Sequence, residues 1–146
     1  MLDALAKTGI ECRVYGARRS IEEEQVEGSL RYRPFSEDGF IADLASCRAV
    51  VAGGGFTLMG EAVYLRKPML SVPLLGQFEQ VLNARYLQAE KFGRAAEHVD
   101  DPVVVQKFIR KLPKYEAALE RYEQDGNKAL FDELDRLLDC AEASTN

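Results

Sequence analysis

Histidine and cysteine are scarce in this chain of 146 residues: there is one histidine, His98, and the three cysteines, Cys12, Cys47 and Cys140, lie far apart with no CxxC pair. An odd number of distant cysteines supports neither a disulfide framework nor a thiolate zinc site, so free, buried thiols are expected. His98 has no second histidine and no carboxylate pattern near it, so a histidine-centred metal site cannot be assembled, and a structural or surface role is expected. Positive charge is also short. Nineteen Lys and Arg against 24 Asp and Glu leave a net charge of −5, without the basic face that neutralises nucleic-acid phosphates. No apolar run approaches the roughly 18 residues of a membrane-spanning helix. The opening MLDALAKTGIECR lacks the basic start and apolar stretch of a signal peptide, so a cytoplasmic location is expected.

What is present suits one globular domain. With 47% hydrophobic and 29% charged residues the chain can bury a core and keep a wettable surface, which excludes intrinsic disorder and fibrous repeats. Leu2 and Leu5 followed by Thr8-Gly9 predict a short helix over 1–7, and the alternation of Ile10, Cys12 and Val14 with charged residues predicts a strand. Residues 17–28 read as a charged connection, a loop or short helix, before a second strand over 30–33. Ser36 caps a helix carrying Phe40, Ile41 and Leu44 on one face, ending near Ser46. Apolar strands at 49–52 and 69–73 flank a helix over 56–65. A long helix over 78–92 is expected to stop at Gly93, with one more short strand over 94–99. Asp101-Pro102 opens a helix that Pro113 should terminate at 112, and a helical pattern occupies 114–141, leaving 142–146 as a frayed tail. Strands alternating with helices imply right-handed crossovers, hence a Rossmann-like, doubly wound α/β domain with a parallel sheet over residues 1–141.

In such sheets ligands bind beyond the carboxyl ends of the strands, and the tightest strand-to-helix junction is VVAGGGFTLMGEA, residues 50–62. Gly53, Gly54 and Gly55 let a ligand approach the backbone, while the amides opening the next helix, at Phe56 and Thr57, present its positive dipole end to a diphosphate. Glu61, four residues after Thr57, shares its helical face, and a carboxylate there suits a ribose diol. The same residues are also what a tight turn and a solvated helix need, and neither GxGxxG nor a P-loop is present. A second segment, PLLGQFEQVLNA over 73–84, puts Glu79, Gln80 and Asn83 at a helix start, as a neutral polyol or an ordinary helix N-terminus would require.

The ordered set of an apolar strand, GG, a glutamate on the following helix, Lys67-Pro68, a strand ending in proline, then Glu79-Gln80 and Asn83-Ala84 resembles the C-terminal, donor-binding domain of GT-B glycosyltransferases. The branch it is most similar to contains the peptidoglycan N-acetylglucosaminyl transferase and the glucuronosyltransferase-like enzymes, and the likeness covers residues 29–99. The resemblance implies a nucleotide-sugar site, UDP-sugar favoured, in which Gly53 to Gly55, Phe56 and Thr57 hold the diphosphate, Glu61 the ribose, and Glu79 and Gln80 the sugar hydroxyls, with Asn83 supporting their loop. It further implies inverting transfer without a bound metal or other cofactor, and a catalytic base and acceptor site on a separate N-terminal domain.

Residues 1–7 fall inside that family's first helix, so its first strand and glycine-bearing loop have no counterpart ahead of them. In the order 3-2-1-4-5-6 that strand is central, which predicts a rearranged, homodimerised or strand-borrowing sheet. The resemblance thus implies a donor-binding half that is inactive alone, or one that works with a membrane-anchored partner subunit, as the soluble subunit of the eukaryotic two-subunit transferase does, peripheral at the membrane. A fragment of a GT-B-like nucleotide-sugar 2-epimerase and a non-catalytic nucleotide-binding module are the alternatives.

Overall fold

The computed structural model describes residues 1–18, 21–124 and 127–143. Among these the chain runs α1 (Leu2–Ala6), β1 (Cys12–Val14), β2 (Gln25–Glu27), β3 (Leu30–Tyr32), α2 (Glu37–Ser46), β4 (Val50–Ala52) and α3 (Phe56–Tyr64). It continues through β5 (Met69–Ser71), α4 (Phe78–Ala89), β6 (Gly93–Ala95), α5 (Pro102–Ile109), α6 (Leu112–Glu120) and α7 (Lys128–Ala143). The expected α/β alternation is present, but the strands form two three-stranded sheets rather than one of six. The first has the order β1-β3-β2, with Cys12 opposite Leu30 in a parallel pair and β2 antiparallel to β3. The second, β4-β5-β6, is wholly parallel, with Val51 opposite Leu70 and Leu70 opposite Arg94.

Side-chain alternation along the strands gives the layers. Leu70 packs with Leu5 of α1, with Phe108 of α5 and with Leu112 and Tyr115 of α6, where the Phe108 and Tyr115 rings stack with centroids 5.7 Å apart. Its neighbour Met69 points the other way, against Met59 of α3 and Leu87 of α4. Full burial of Leu70 and Phe108 contributes about 2–3 kcal/mol each. The strands of the second sheet are therefore covered on both faces, which is why Val50-Val51-Ala52 and Met69-Leu70 are continuously apolar.

Several local expectations change. Residues 17–28 contain β2, missed because Gln-Val-Glu is a polar, fully exposed edge strand with no apolar alternation to reveal it. Pro113 does not stop a helix; it lies in the first turn of α6, where its missing N–H costs nothing, and α5 has already ended at Ile109. The pattern over 114–141 is two helices, separated around Asn127, which adopts a left-handed φ of 64°. Helix α4 ends at Ala89, with Lys91 rather than Gly93 in the left-handed conformation. Gly93 is glycine for another reason: a Cβ there would stand 1.9 Å from the Met69 carbonyl oxygen across the β5–β6 pair. Helix α7 extends through Ala143, and residues 144–146 of the expected tail lie outside the described residues. Of the cysteines, Cys12 and Cys47 are half-buried, and burial pushes both thiols up, whereas Cys140 is exposed rather than buried.

Candidate functional site

β4 and β5 end side by side, and the chain leaves each toward a helix: β4 through Gly53 to Gly55 into α3, and β5 through residues 72–77 into α4. The α3 N-cap is Gly55, with no capping side chain, so the amides of the first turn, Phe56 to Leu58, have neither an intrahelical nor a side-chain acceptor. The α4 N-cap, Gln77, likewise provides no side-chain cap. Two positive dipole ends thus meet at the carboxyl edge of the parallel sheet.

What fixes them together is Gln80. Its Oε1 accepts from the Gly54 amide at 3.2 Å and from the Leu74 amide at 3.1 Å, while the Asn83 Nδ2 donates to the Gly54 carbonyl at 3.0 Å. One side chain therefore joins both strand-to-helix loops, and a second locks the glycine loop from the next turn of α4. This fastening was not legible in the sequence, where Gln80 and Asn83 are polar residues three apart; only the fold brings Gly54, 26 residues away, against them.

The three glycines serve three different needs. A Cβ on Gly54 would lie 2.3 Å from the backbone oxygen of Gln80, so only glycine lets α3 start this close to α4. At Gly53 a Cβ would come within 3.2 Å of the Gln80 Oε1. At Gly55 it would meet nothing within 4 Å, leaving the approach to the α3 amides open. The Gly54 amide is committed to Gln80, so the amides free for an anion are those from Phe56 onward.

Thr57 and Glu61 are exposed on α3 one turn apart, and Glu79 is exposed in the first turn of α4. The structure thus gathers Gly53 to Thr57, Gln80 and Asn83 around one loop, with Glu61 and Glu79 exposed on the two helices that leave it. An exposed apolar rim, Phe56 together with Leu74, Leu75 and Phe78, which the sequence did not mark as site residues, occupies the two helix starts and the loop before α4. Among the described residues no group of three or more His, Cys, Asp or Glu is arranged to hold a metal ion.

A partly exposed ion cluster around the buried Asp43 braces the other half of the sheet system. Asp43 on α2 accepts from the Arg13 guanidinium and the Tyr15 hydroxyl, and its second oxygen lies 3.2 Å from the Arg33 Nε. Burial works to raise its pKa, but the Tyr15 hydrogen bond and the two guanidiniums outweigh that and hold the carboxyl below its usual range.

Comparison with known proteins agrees with this architecture. Residues 1–113 match the family model described as glycosyl transferase family 1. An uncharacterized glycosyltransferase of Methanosarcina mazei is 33% identical over 101 residues, which are 64% of this chain and 27% of the relative. UDP-N-acetylglucosamine--N-acetylmuramyl-(pentapeptide) pyrophosphoryl-undecaprenol N-acetylglucosamine transferase 1 of Bacillus thuringiensis is 34% identical over 106 residues, 70% of this chain and 29% of that protein. Among solved structures, the glycotransferase of kitacinnamycin superposes with a TM-score of 0.66 at 15% identity, over 82% of this chain and 33% of that one, a likeness of fold. The chain spans less than a third of the length of these curated relatives. A family match over 113 of 146 residues, carried on the α/β framework that positions the glycine junction, shows that the chain belongs to glycosyl transferase family 1.

Proposed function

We propose that residues 1–141 form the nucleotide-sugar-binding part of a glycosyltransferase, with a UDP-sugar as the favoured donor. The observation that carries this reading is the uncapped α3 N-terminus, whose free amides begin beside an open Gly55 and whose exposed Glu61 follows one turn later. The diphosphate lies against the amides of Phe56 and Thr57, where backbone donors and the helix dipole stabilise negative charge without a proton transfer. Glu61 accepts from the ribose hydroxyls. Because the Oε1 of Gln80 is occupied by two backbone amides, its Nε2 is the atom that reads a sugar hydroxyl, next to the Glu79 carboxylate. As the sugar departs with inversion, charge grows on the nucleoside diphosphate, where these donors already point, so no metal is required for that stabilisation. The acceptor site and the base that deprotonates the acceptor are assigned to another domain or a partner subunit, as the family resemblance implies. No described helix is long and apolar enough to cross a membrane, and a cytoplasmic chain, peripheral at a lipid surface, fits a lipid-linked acceptor.

Titration of the purified chain with UDP, UDP-sugars and other nucleotides by calorimetry tests the reading. Saturable UDP binding that Glu61→Ala weakens about tenfold or more, with the melting temperature unchanged, is expected from loss of a charge-assisted ribose contact. Absence of nucleotide binding at millimolar concentration, or indifference to Glu61→Ala, would overturn it.

A further inference from the structure

Helix α4 turns one face outward, and that face has an internal symmetry. Successive helical residues are rotated by about 100°, so the buried Ala84 and Leu87 mark the side that packs on the sheet, and Leu82 lies almost opposite them. Phe78 and Tyr86 stand four residues before and after Leu82, and Glu79 and Arg85 three before and after, all five within about 120° of helix surface. Phe78, Leu82 and Tyr86 are 78%, 41% and 64% exposed, and the turn leading into the helix adds the exposed Leu74 and Leu75. Among the described residues Glu79 and Arg85 have no ion-pair partner.

A face symmetric about its own middle residue is complementary to itself. When two such helices pack antiparallel about Leu82, each residue before Leu82 lies level with the residue equally far after it in the other copy. Leu82 then meets Leu82, Phe78 lies level with Tyr86, and Glu79 with Arg85, so each end of the contact joins two aromatic rings, a carboxylate and a guanidinium. The two ends are identical, as an isologous interface requires. A parallel pair brings Glu79 level with Glu79 and Arg85 level with Arg85, so the charges select the antiparallel arrangement, which also sets opposite helix-dipole ends side by side. The area agrees. The five apolar side chains expose on the order of 600 Å², the upper end of a single patch on a typical monomer, and with Glu79 and Arg85 the face approaches the roughly 800 Å² that each partner gives to a standard interface.

We infer that the outer face of α4 is a homodimer contact, across which a second copy of this chain packs antiparallel about Leu82. A lipid surface is a poorer occupant, because it would take up the Glu79 carboxylate with no cation to pair it. An unrelated polypeptide gives no reason for the face to be symmetric. The contact also brings Arg85 of the second copy level with Glu79, one residue from Gln80, and so adds a guanidinium at the edge of the proposed donor site. That consequence rests on the donor reading; the association itself does not and is measured without nucleotide.

Sedimentation equilibrium of the full chain tests the contact, and a concentration-dependent dimer is expected. Arg85→Glu, which sets two carboxylates level at each end, is expected to weaken the dimer at least about tenfold, and combining it with Glu79→Arg to restore the parent affinity to within about threefold. Leu82→Lys brings two ammonium groups together at the twofold axis and should give a monomer that keeps the parent circular dichroism, because that side chain is exposed. A parent chain that stays monomeric at millimolar concentration would overturn the inference. So would a dimer indifferent to Arg85→Glu and Leu82→Lys, since the copies would then meet elsewhere, and so would failure of the charge swap to restore what Arg85→Glu removes.

Discussion

Gly54 and Gly55 are neighbours with opposite tolerances. At Gly54 an added Cβ meets the Gln80 backbone at 2.3 Å, and neither backbone can yield without moving a helix. Gly54→Ala is expected to cost about 3 kcal/mol, read as a lower urea midpoint with an unchanged m-value. At Gly55 the space is open and φ is −62°, so Gly55→Ala is expected to change stability by less than about 0.5 kcal/mol while blocking the approach of UDP to the α3 amides. The sequence pointed to the triplet as a ligand loop but offered no way to separate these roles, because one of them depends on a helix that follows 26 residues later. Asp43 carries a pH prediction. Its folded pKa lies below the unfolded value, so its contribution is complete above about pH 5 and is lost as the pH falls through the unfolded value and then the lower folded one. Asp43→Asn, which removes the charge facing Arg13 and Arg33, is expected to lower stability by about 2–3 kcal/mol at pH 7. The gap to the parent protein should close as the pH falls through the lowered folded pKa in chemical-denaturation curves, the direction opposite to that of a group with a raised pKa.

At the scale of elements, helix α4 acts as a clamp on the loop before α3. Gln80→Ala leaves the Gly54 and Leu74 amides without acceptors and is expected to cost about 2 kcal/mol, whereas Gln80→Glu keeps an acceptor oxygen and should recover most of that stability. If Nε2 reads the donor sugar, the glutamate variant will still bind UDP but lose its preference for UDP-sugar over UDP, a divergence that calorimetry resolves. Most of these elements were legible from periodicity and caps: Ser36 does accept from the Gly39 amide, and Asp101 from the Val103 amide, as their positions before apolar stripes required. The failures have a common physical source. β2 is held by pairing rather than by burial, and Pro113 and Gly93 have local preferences that tertiary placement used in another way. Helix α7 is the extreme case of local pattern without packing, for Leu130, Phe131, Leu134, Leu137 and Leu138 form an apolar stripe and all five are exposed. Removing residues 128–146 is therefore expected to shift the melting temperature of the remaining chain by no more than about 2 °C.

At the scale of the whole molecule, the sheet is divided in two. The expectation of a sheet disturbed at its centre rested on strand order, and the two three-stranded sheets with facing open edges answer to it. What no residue pattern could reveal is that the disturbance leaves a slot walled by Leu5, Phe108, Phe40 and Leu44 instead of a collapsed seam; that depends on how α1, α2 and α5 are held by the halves they already cover.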